Sequence, residues 1–249
     1  MICYVDMDHP RTWADPTARA RRLGTLGLRK LRFEALSGEP CLTLHYTQLD
    51  APLVGRLGLR ALLLSGSTVD WDECDLATFE PLTAILRTVD LPTIAFCGGH
   101  QYLGWAFGAD WGPVGRLAPG EADPAPHMAP GFRKEVGFMP VDIVADDPLF
   151  AGLGAAPVMF ESHYWQLTDV PAGWRLLATR PTCRVQAMRH PTRPIYGTQF
   201  HPEQWDADHL AGRQCIANFF ALAGLAPAAD THLLTRWREL SGTQPLPPL

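Results

Sequence analysis

Apolar positions along the chain fall into two alternating patterns. Short β-branched or Leu-rich runs predict strands: ICYV (2–5), CLTLHY (41–46), ALLLS (61–65), TIAF (93–96) and IYGTQF (195–200). Longer stretches of helical period lie between several of them. PTARARRLGTLGLRKLRFEAL (16–36) and DLATFEPLTAILRTV (75–89) predict crossover helices. In the second, Asp75 or Thr78 is a candidate cap, and Pro81 must fall within the first turn or kink the helix. Strands alternating with helices in this order build an α/β fold, a mainly parallel sheet flanked by helices.

After Cys97, residues Tyr102, Trp105, Ala106 and Ala109 recur at i, i+3, i+4 and i+7, the buried face of one helix, with Gly108 as its stop. The segment 113–131 is too rich in Pro and Gly for regular structure and reads as a surface loop. From 134 to 190, strand-like runs follow one another without a helix, which predicts antiparallel pairs beside the parallel sheet. A helix near 206–224 carries Ile216, Phe219, Phe220 and Ala223 on one face. THLLTRWREL (231–240) predicts one more helix, and GTQPLPPL (242–249) a loose, polyproline-like tail. The expected organisation is one domain over 1–227 and a partly helical extension over 228–249.

Composition narrows the function classes. With 249 residues, 47% of them hydrophobic and 19% charged, the chain can bury one large core. The net charge of −5 calls for no acidic partner, and the basic stretch at 19–32 has helical spacing, so it reads as a solvated helix face rather than a nucleic-acid patch. The N-terminus lacks the layout of a signal peptide, and no apolar run approaches the roughly 18 residues of a membrane span. A cytoplasmic chain with neither membrane nor nucleic-acid partner is expected. Six cysteines without C-x-x-C spacing indicate neither a zinc knuckle nor a disulfide framework. Asp6, Asp8 and His9 gather at the end of the first strand and read as loop residues rather than a metal site. His100 reads as a structural residue of the helix start. Trp105 fits its helix's core face, whereas Trp71 and Trp205 adjoin loops of the site. No phosphate-binding glycine motif is present, and no cofactor is expected.

The chemistry concentrates at two places. TIAFCGGHQ (93–101) runs from a strand through Cys97 into a helix, which presents the turn residue at the carboxyl end of the sheet. Small neighbours Ala95, Gly98 and Gly99 suit a strained turn, and the positive end of the helix favours thiolate. Cysteine before Gly-Gly is alone a weak signal. In YGTQFHPEQW (196–205), His201 and Glu203 stand at i and i+2 of an extended segment, so the carboxylate can hold the imidazole. Together the three residues make a nucleophile, a base and its orienter.

FCGGHQYLGWAFG followed about a hundred residues later by YGTQFHPEQ resembles the class I, triad-type glutamine amidotransferase family, whose usual forms are G-x-C-x-G-H-Q and F-H-P-E. ALLLSGS (61–67), EVGFMPVDI (135–143) and FESHYWQL (160–167) resemble further landmarks in the family's order. The resemblance implies a flavodoxin-like fold with Cys97 as nucleophile, His201 as base and acid, and Glu203 as orienting carboxylate. It implies an oxyanion hole from the backbone N–H of Gly98 and one from the Gly66–Ser67 turn. Gln101, Ser162, His163 and Tyr164 would line the substrate pocket. The implied activity is glutaminase: L-glutamine gives glutamate and ammonia through a γ-glutamyl thioester, and the ammonia passes to a partner, a separate synthase subunit. The alternative is a stand-alone γ-glutamyl amide or peptide hydrolase. A third reading is a non-catalytic regulatory subunit, which would not need the intact triad. The chain departs from the family pattern at Ala95, usually Gly, and at Gly98, often a larger residue. SGSTVDW replaces the common S-G-G-P loop, and Tyr164 and Trp165 stand where smaller or acidic residues are often seen.

Overall fold

A computed structural model describes residues 1–225; the predicted helix at 231–240 and the tail at 242–249 lie outside the described residues. In chain order the first half contains β1 (Ile2–Asp6), α1 (Pro10–Ala14), α2 (Pro16–Ser37), β2 (Cys41–His45), α3 (Ala51–Leu57) and β3 (Leu62–Leu64). Then come α4 (Glu80–Thr88), β4 (Thr93–Phe96), α5 (Gly98–Ala106) and β5 (Trp111–Pro113). The second half contains β6 (Glu135–Pro140), β7 (Asp142–Ile143), β8 (Val158–His163), β9 (Trp165–Leu167), β10 (Arg175–Thr179), β11 (Ala187–Arg189), β12 (Ile195–Thr198) and α6 (Ala211–Leu222).

Eight strands form one sheet in the order β2-β1-β3-β4-β12-β11-β10-β7. The five from β2 to β12 pair in parallel, and β11, β10 and β7 add antiparallel neighbours at one side. Two further antiparallel pairs, β5 with β9 and β6 with β8, lie outside it. This is the expected parallel sheet with antiparallel additions.

The two-residue period of a strand sends alternate side chains to opposite faces. From β1, Cys3 and Val5 join Leu82, Ile85 and Leu86 of α4 and Tyr102 and Leu103 of α5. Ile2 and Tyr4 point the other way, to Phe33 of α2 and Ile216, Phe219 and Phe220 of α6. Each of these fully buried apolar side chains contributes about 1.5–3 kcal/mol.

Several predicted elements change at their edges or in character. The segment 75–89 divides into a short 3-10 turn, Leu76–Phe79, and α4, because Pro81 is confined to the first turn of an α-helix. The last described helix begins at Ala211 rather than near 206. Trp105 is half-buried, at the edge of the core. The basic stretch of α2 is not a purely solvated face: Arg22 is buried and Arg29 nearly so, both turned toward the sheet's carboxyl end. The loop 113–131 is organised from beneath by Lys134, whose fully buried ammonium meets Asp123 at 2.9 Å and the carbonyls of Ala125, Met128 and Ala129.

Candidate active site

The site lies where β3, β4 and β12 end. Cys97 follows β4 directly, and its backbone is left-handed, φ 47° and ψ −111°, a conformation costly for a residue bearing a Cβ. The turn is pinned on both sides. Cys97 N–H donates to the Thr198 carbonyl at 2.8 Å, and Gly99 N–H to the Ser65 carbonyl at 3.0 Å. No larger residue fits at Gly99, where a Cβ would stand 2.7 Å from the Ser65 carbonyl oxygen. The strain therefore aims the sulfur into the cleft at the N-terminus of α5.

His201 and Glu203 follow β12 and meet as expected, but through a turn rather than an extended segment: Gln204 N–H donates to the His201 carbonyl at 3.0 Å, and Pro202 and Glu203 lie within the turn. His201 Nδ1 donates to Glu203 Oε1 at 2.8 Å, which leaves Nε2 on the edge of the ring that faces Cys97. Glu203 is fully buried, with Arg29 of α2 at 3.5 Å from the same oxygen. Burial alone would pull the His201 pKa down. The charges of Glu203 and Cys97 outweigh it and lift the ring to about 10, so it is an imidazolium at neutral pH. Burial likewise opposes ionisation of Glu203, yet His201 and Arg29 hold its pKa below the usual value.

Gly66 closes the site from above. A Cβ there would lie 3.0 Å from His201 Cε1 and 3.5 Å from Cys97 Cβ. The next residue, Ser67, abuts Gly98, where a Cβ would come within 2.6 Å of Ser67 N. Neither the Ser67 N–H nor the Gly98 N–H meets an acceptor among the described residues. Two free donors thus flank the sulfur, as stabilisation of an oxyanion requires.

A cavity of about 220 Å³ opens beside Cys97, lined in part by Asp70, Trp71, Gln101, Ser162, Tyr164 and Met128. Gln101 is locked: its carbonyl oxygen accepts from Trp71 Nε1 at 2.8 Å, and its amide donates to the Trp165 carbonyl and to Gln199. Tyr164 donates its hydroxyl to Asp70, joining the two walls. Ser162 contributes its carbonyl oxygen, 3.7 Å from Cys97 Sγ. His163 lines the cavity with its ring but not with a free nitrogen. Nδ1 donates to the Trp165 carbonyl at 2.9 Å, and Nε2 faces Glu135 at 3.0 Å and Glu161 at 3.3 Å. Both nitrogens meet acceptors, so the ring carries both protons. Burial pulls its pKa down, but Glu135 and Glu161 raise it to about 10. Glu135 is desolvated as well, yet His163, Thr182 and Arg180 bring it down to about 2.

Glu135, His163 and Cys183 bring donor atoms within 4.8 Å of one another. They do not fit a metal: Glu135 already accepts from His163, Gln186, Arg180 and Thr182, and a ligating imidazole must shed the proton that bonds Glu135. His100 packs against β12, its Nε2 bonded to the Val185 carbonyl. Burial lowers its pKa to about 3, and it stays neutral. Trp205 stacks under Arg32 and does not line the cavity.

Sequence reasoning passed over Gln199, whose amide lies 3.7 Å from Cys97 Sγ. Its only sequence signal is its place two residues before His201 at the end of the last parallel strand; beyond Thr198 the chain bends and turns, so no extended period runs on to Glu203. Asp70 and Met128 reach the cavity from loops and carry no periodic signature.

A cysteine on a strand-to-helix turn, facing a His–Glu pair and two free N–H groups at the carboxyl end of a parallel sheet, defines the class of α/β cysteine amidohydrolases and acyltransferases. The comparison with known families is specific: residues 44–222 match the model of "Glutamine amidotransferase class-I", and the chain belongs to that family. Among curated relatives, a subunit of the glutamine-hydrolysing GMP synthase of Thermococcus kodakarensis is 34% identical over 145 residues, 57% of this chain and 67% of that protein. The protein of the same name from Methanosarcina mazei is 30% identical over 141 residues, 56% of this chain and 64% of its own length. The chain thus matches about two thirds of the length of these relatives. A Thermoplasma acidophilum protein of known structure superposes with a TM-score of 0.65 at 23% identity, covering 98% of both chains, a likeness of fold.

Proposed function

We propose that this chain is a glutaminase that hydrolyses the side-chain amide of L-glutamine to glutamate and ammonia. The observation that carries the reading is the strained Cys97 turn set against the buried His201–Glu203 pair. Cys97 attacks the amide carbon as thiolate, and the oxygen takes up the electron pair between the N–H groups of Ser67 and Gly98. The imidazolium of His201 gives its proton to the departing nitrogen, so ammonia leaves and a γ-glutamyl thioester remains on Cys97. Neutral His201 then takes a proton from water. The hydroxide attacks the thioester, and collapse of the second tetrahedral adduct expels the thiolate and frees glutamate. Glu203 holds the ring's orientation and charge throughout.

Gln101, Ser162, His163 and Tyr164 form the pocket wall in this reading, chiefly by shape and backbone oxygens. Asp70 supplies the negative charge that an α-ammonium group calls for. The names of the curated relatives, which belong to a glutamine-hydrolysing synthase, support a synthase partner that consumes the ammonia. Among the described residues no helix is long and apolar enough to cross a membrane; a cytoplasmic location is part of this proposal. The domain runs to about residue 227, as Leu225 still packs into the core.

The test is to incubate the full chain with L-glutamine, L-γ-glutamyl hydroxamate and a panel of γ-glutamyl peptides, following ammonia and glutamate. Glutamine turnover that disappears in Cys97→Ala is expected. Wild-type turnover in Cys97→Ala would refute the mechanism, and a preference for γ-glutamyl peptides over glutamine would favour the stand-alone hydrolase instead.

A further inference from the structure

The acids of the DMDHP segment and the basic face of α2, both left aside by the mechanism, converge behind the loop that carries Gly66 and Ser67. Arg22 Nη2 donates to the Gly66 carbonyl oxygen at 3.0 Å and to Ser65 Oγ at 2.7 Å. Ser65 Oγ also donates to the Gly66 carbonyl, at 2.9 Å. The guanidinium is itself fixed: its Nε donates to Asp6 Oδ1 at 2.8 Å, and Asp8 Oδ2 lies 3.7 Å from Nε. Asp6 is held in turn by Trp13 Nε1 at 3.0 Å. On the far side of the loop, Asp8 Oδ1 accepts from the Thr68 N–H at 3.0 Å and the Thr68 hydroxyl at 2.8 Å. Asp6 and Asp8 are completely buried and Arg22 nearly so.

The Gly66 carbonyl and the Ser67 N–H belong to one planar trans peptide, so they point in opposite directions. A carbonyl drawn toward α2 by two donors turns the Ser67 N–H toward Gly98 and Cys97. Without that anchor the peptide of an S-G-S-T loop is free to rotate, and the N–H then leaves the position where charge develops on the substrate oxygen. We propose that Arg22 is a positioning residue of the oxyanion hole: the Asp6–Arg22–Asp8 cluster fixes the orientation of the Gly66–Ser67 peptide. This rests on the glutaminase reading above. The three charges are tied to one another and to the loop, which also accounts for the ionisable groups gathered at the end of β1.

The test compares Arg22→Met, Arg22→Lys, Ser65→Ala and Cys97→Ser with the parent chain on glutamine and γ-glutamyl hydroxamate. Loss of one oxyanion donor lowers turnover by about 10²- to 10³-fold in comparable sites, so kcat of Arg22→Met is expected to fall at least about 30-fold. KM should stay within about threefold, and the rate of Cys97 alkylation by iodoacetamide, which forms no oxyanion, should stay close to parental. Arg22→Lys, which keeps one donor, should recover part of kcat. Ser65→Ala removes the second donor with little change in volume; it should lower kcat several-fold at constant KM and decides the question if Arg22→Met does not fold. Parental kcat in a folded Arg22→Met or in Ser65→Ala overturns the proposal, as does a kcat loss matched by equal loss of alkylation. Turnover surviving in Cys97→Ser instead overturns the glutaminase reading and leaves the Arg22 geometry without that role.

Discussion

Replacing Gly98 by Ala inserts one methyl group between the nucleophile's helix and the oxyanion loop. The new Cβ would stand 2.6 Å from Ser67 N, 3.0 Å from Ser67 Cβ and 3.3 Å from Ser67 Cα. Gly98 does not have a left-handed backbone, so the helix itself accepts Ala and gains up to about 1 kcal/mol. Overpacking of this kind costs about 1–3 kcal/mol, and the balance is a stability loss of roughly 0–3 kcal/mol. The effect on rate is larger. The loop must retreat by several tenths of an ångström, which takes the Ser67 N–H from its place, and kcat falls about 10²-fold. Ser67 and Gly98 line the cavity beside Cys97, but Gln101, Ser162 and Tyr164 on its other walls are not met by the new methyl, so KM changes by less than about threefold. Steady-state ammonia release with a parallel thermal melt measures both quantities. The close approach also involves the Ser67 side chain, so Ser67→Gly introduced beside Gly98→Ala should restore kcat several-fold, a coupling that independent sites lack. Parental kcat in Gly98→Ala would refute the placement of Ser67 N–H in the oxyanion hole. Ser67 and Gly98, both departures from the family pattern, are here one steric arrangement: a side chain on the loop is matched by its absence on the helix.

Two further outcomes are expected. His163 and His201 have folded pKa values raised to about 10 by their carboxylate partners, so their contribution to stability is complete below the unfolded value of about 6.5 and is lost as the pH rises through about 10. Urea midpoints should therefore decline over that window, with stability falling by up to about 1.4 kcal/mol per pH unit from each ring, and a flat profile would contradict the charged assignment of both. Lys134→Met leaves the Met128 carbonyl without a donor, while the carbonyls of Ala125 and Ala129 keep the N–H groups of Met128 and Phe132; a loss of about 1–3 kcal/mol, proteolytic cleavage within 113–133 and a several-fold rise in KM are expected. Unchanged protease resistance would show that the loop stands without it.

What was legible in the sequence is what periodicity encodes. The apolar runs ICYV and TIAF gave strands buried on both faces, and the His-x-Glu spacing marked the pair, although a turn at 201–204 rather than an extended run brings Glu203 to His201. The charged residues of α2 were misjudged because spacing reveals which face a residue occupies, not what that face meets. Arg22 and Arg29 look like solvated arginines until β1, β3 and β12 bring Asp6, the Gly66 carbonyl and Glu203 beneath them. The same holds for Lys134, a lysine after a Pro- and Gly-rich run, whose burial follows from how the loop folds back over it. Asp70 enters the cavity by tertiary placement alone. Interactions that join residues distant in sequence leave no period to read.

The division of labour along α2 bears on what must be inherited, or transplanted, as a unit. The family match begins at residue 44, after β1 and α2, and a fragment cut to 44–222 would retain all three residues of the triad. It would lose the strand between β2 and β3, and with α2 the arginines that steady the Gly66 carbonyl at one end of the site and Glu203 at the other. The fragment would carry the family's motifs without their scaffold. Grafting this site onto another framework therefore requires the first 37 residues as much as the motifs themselves.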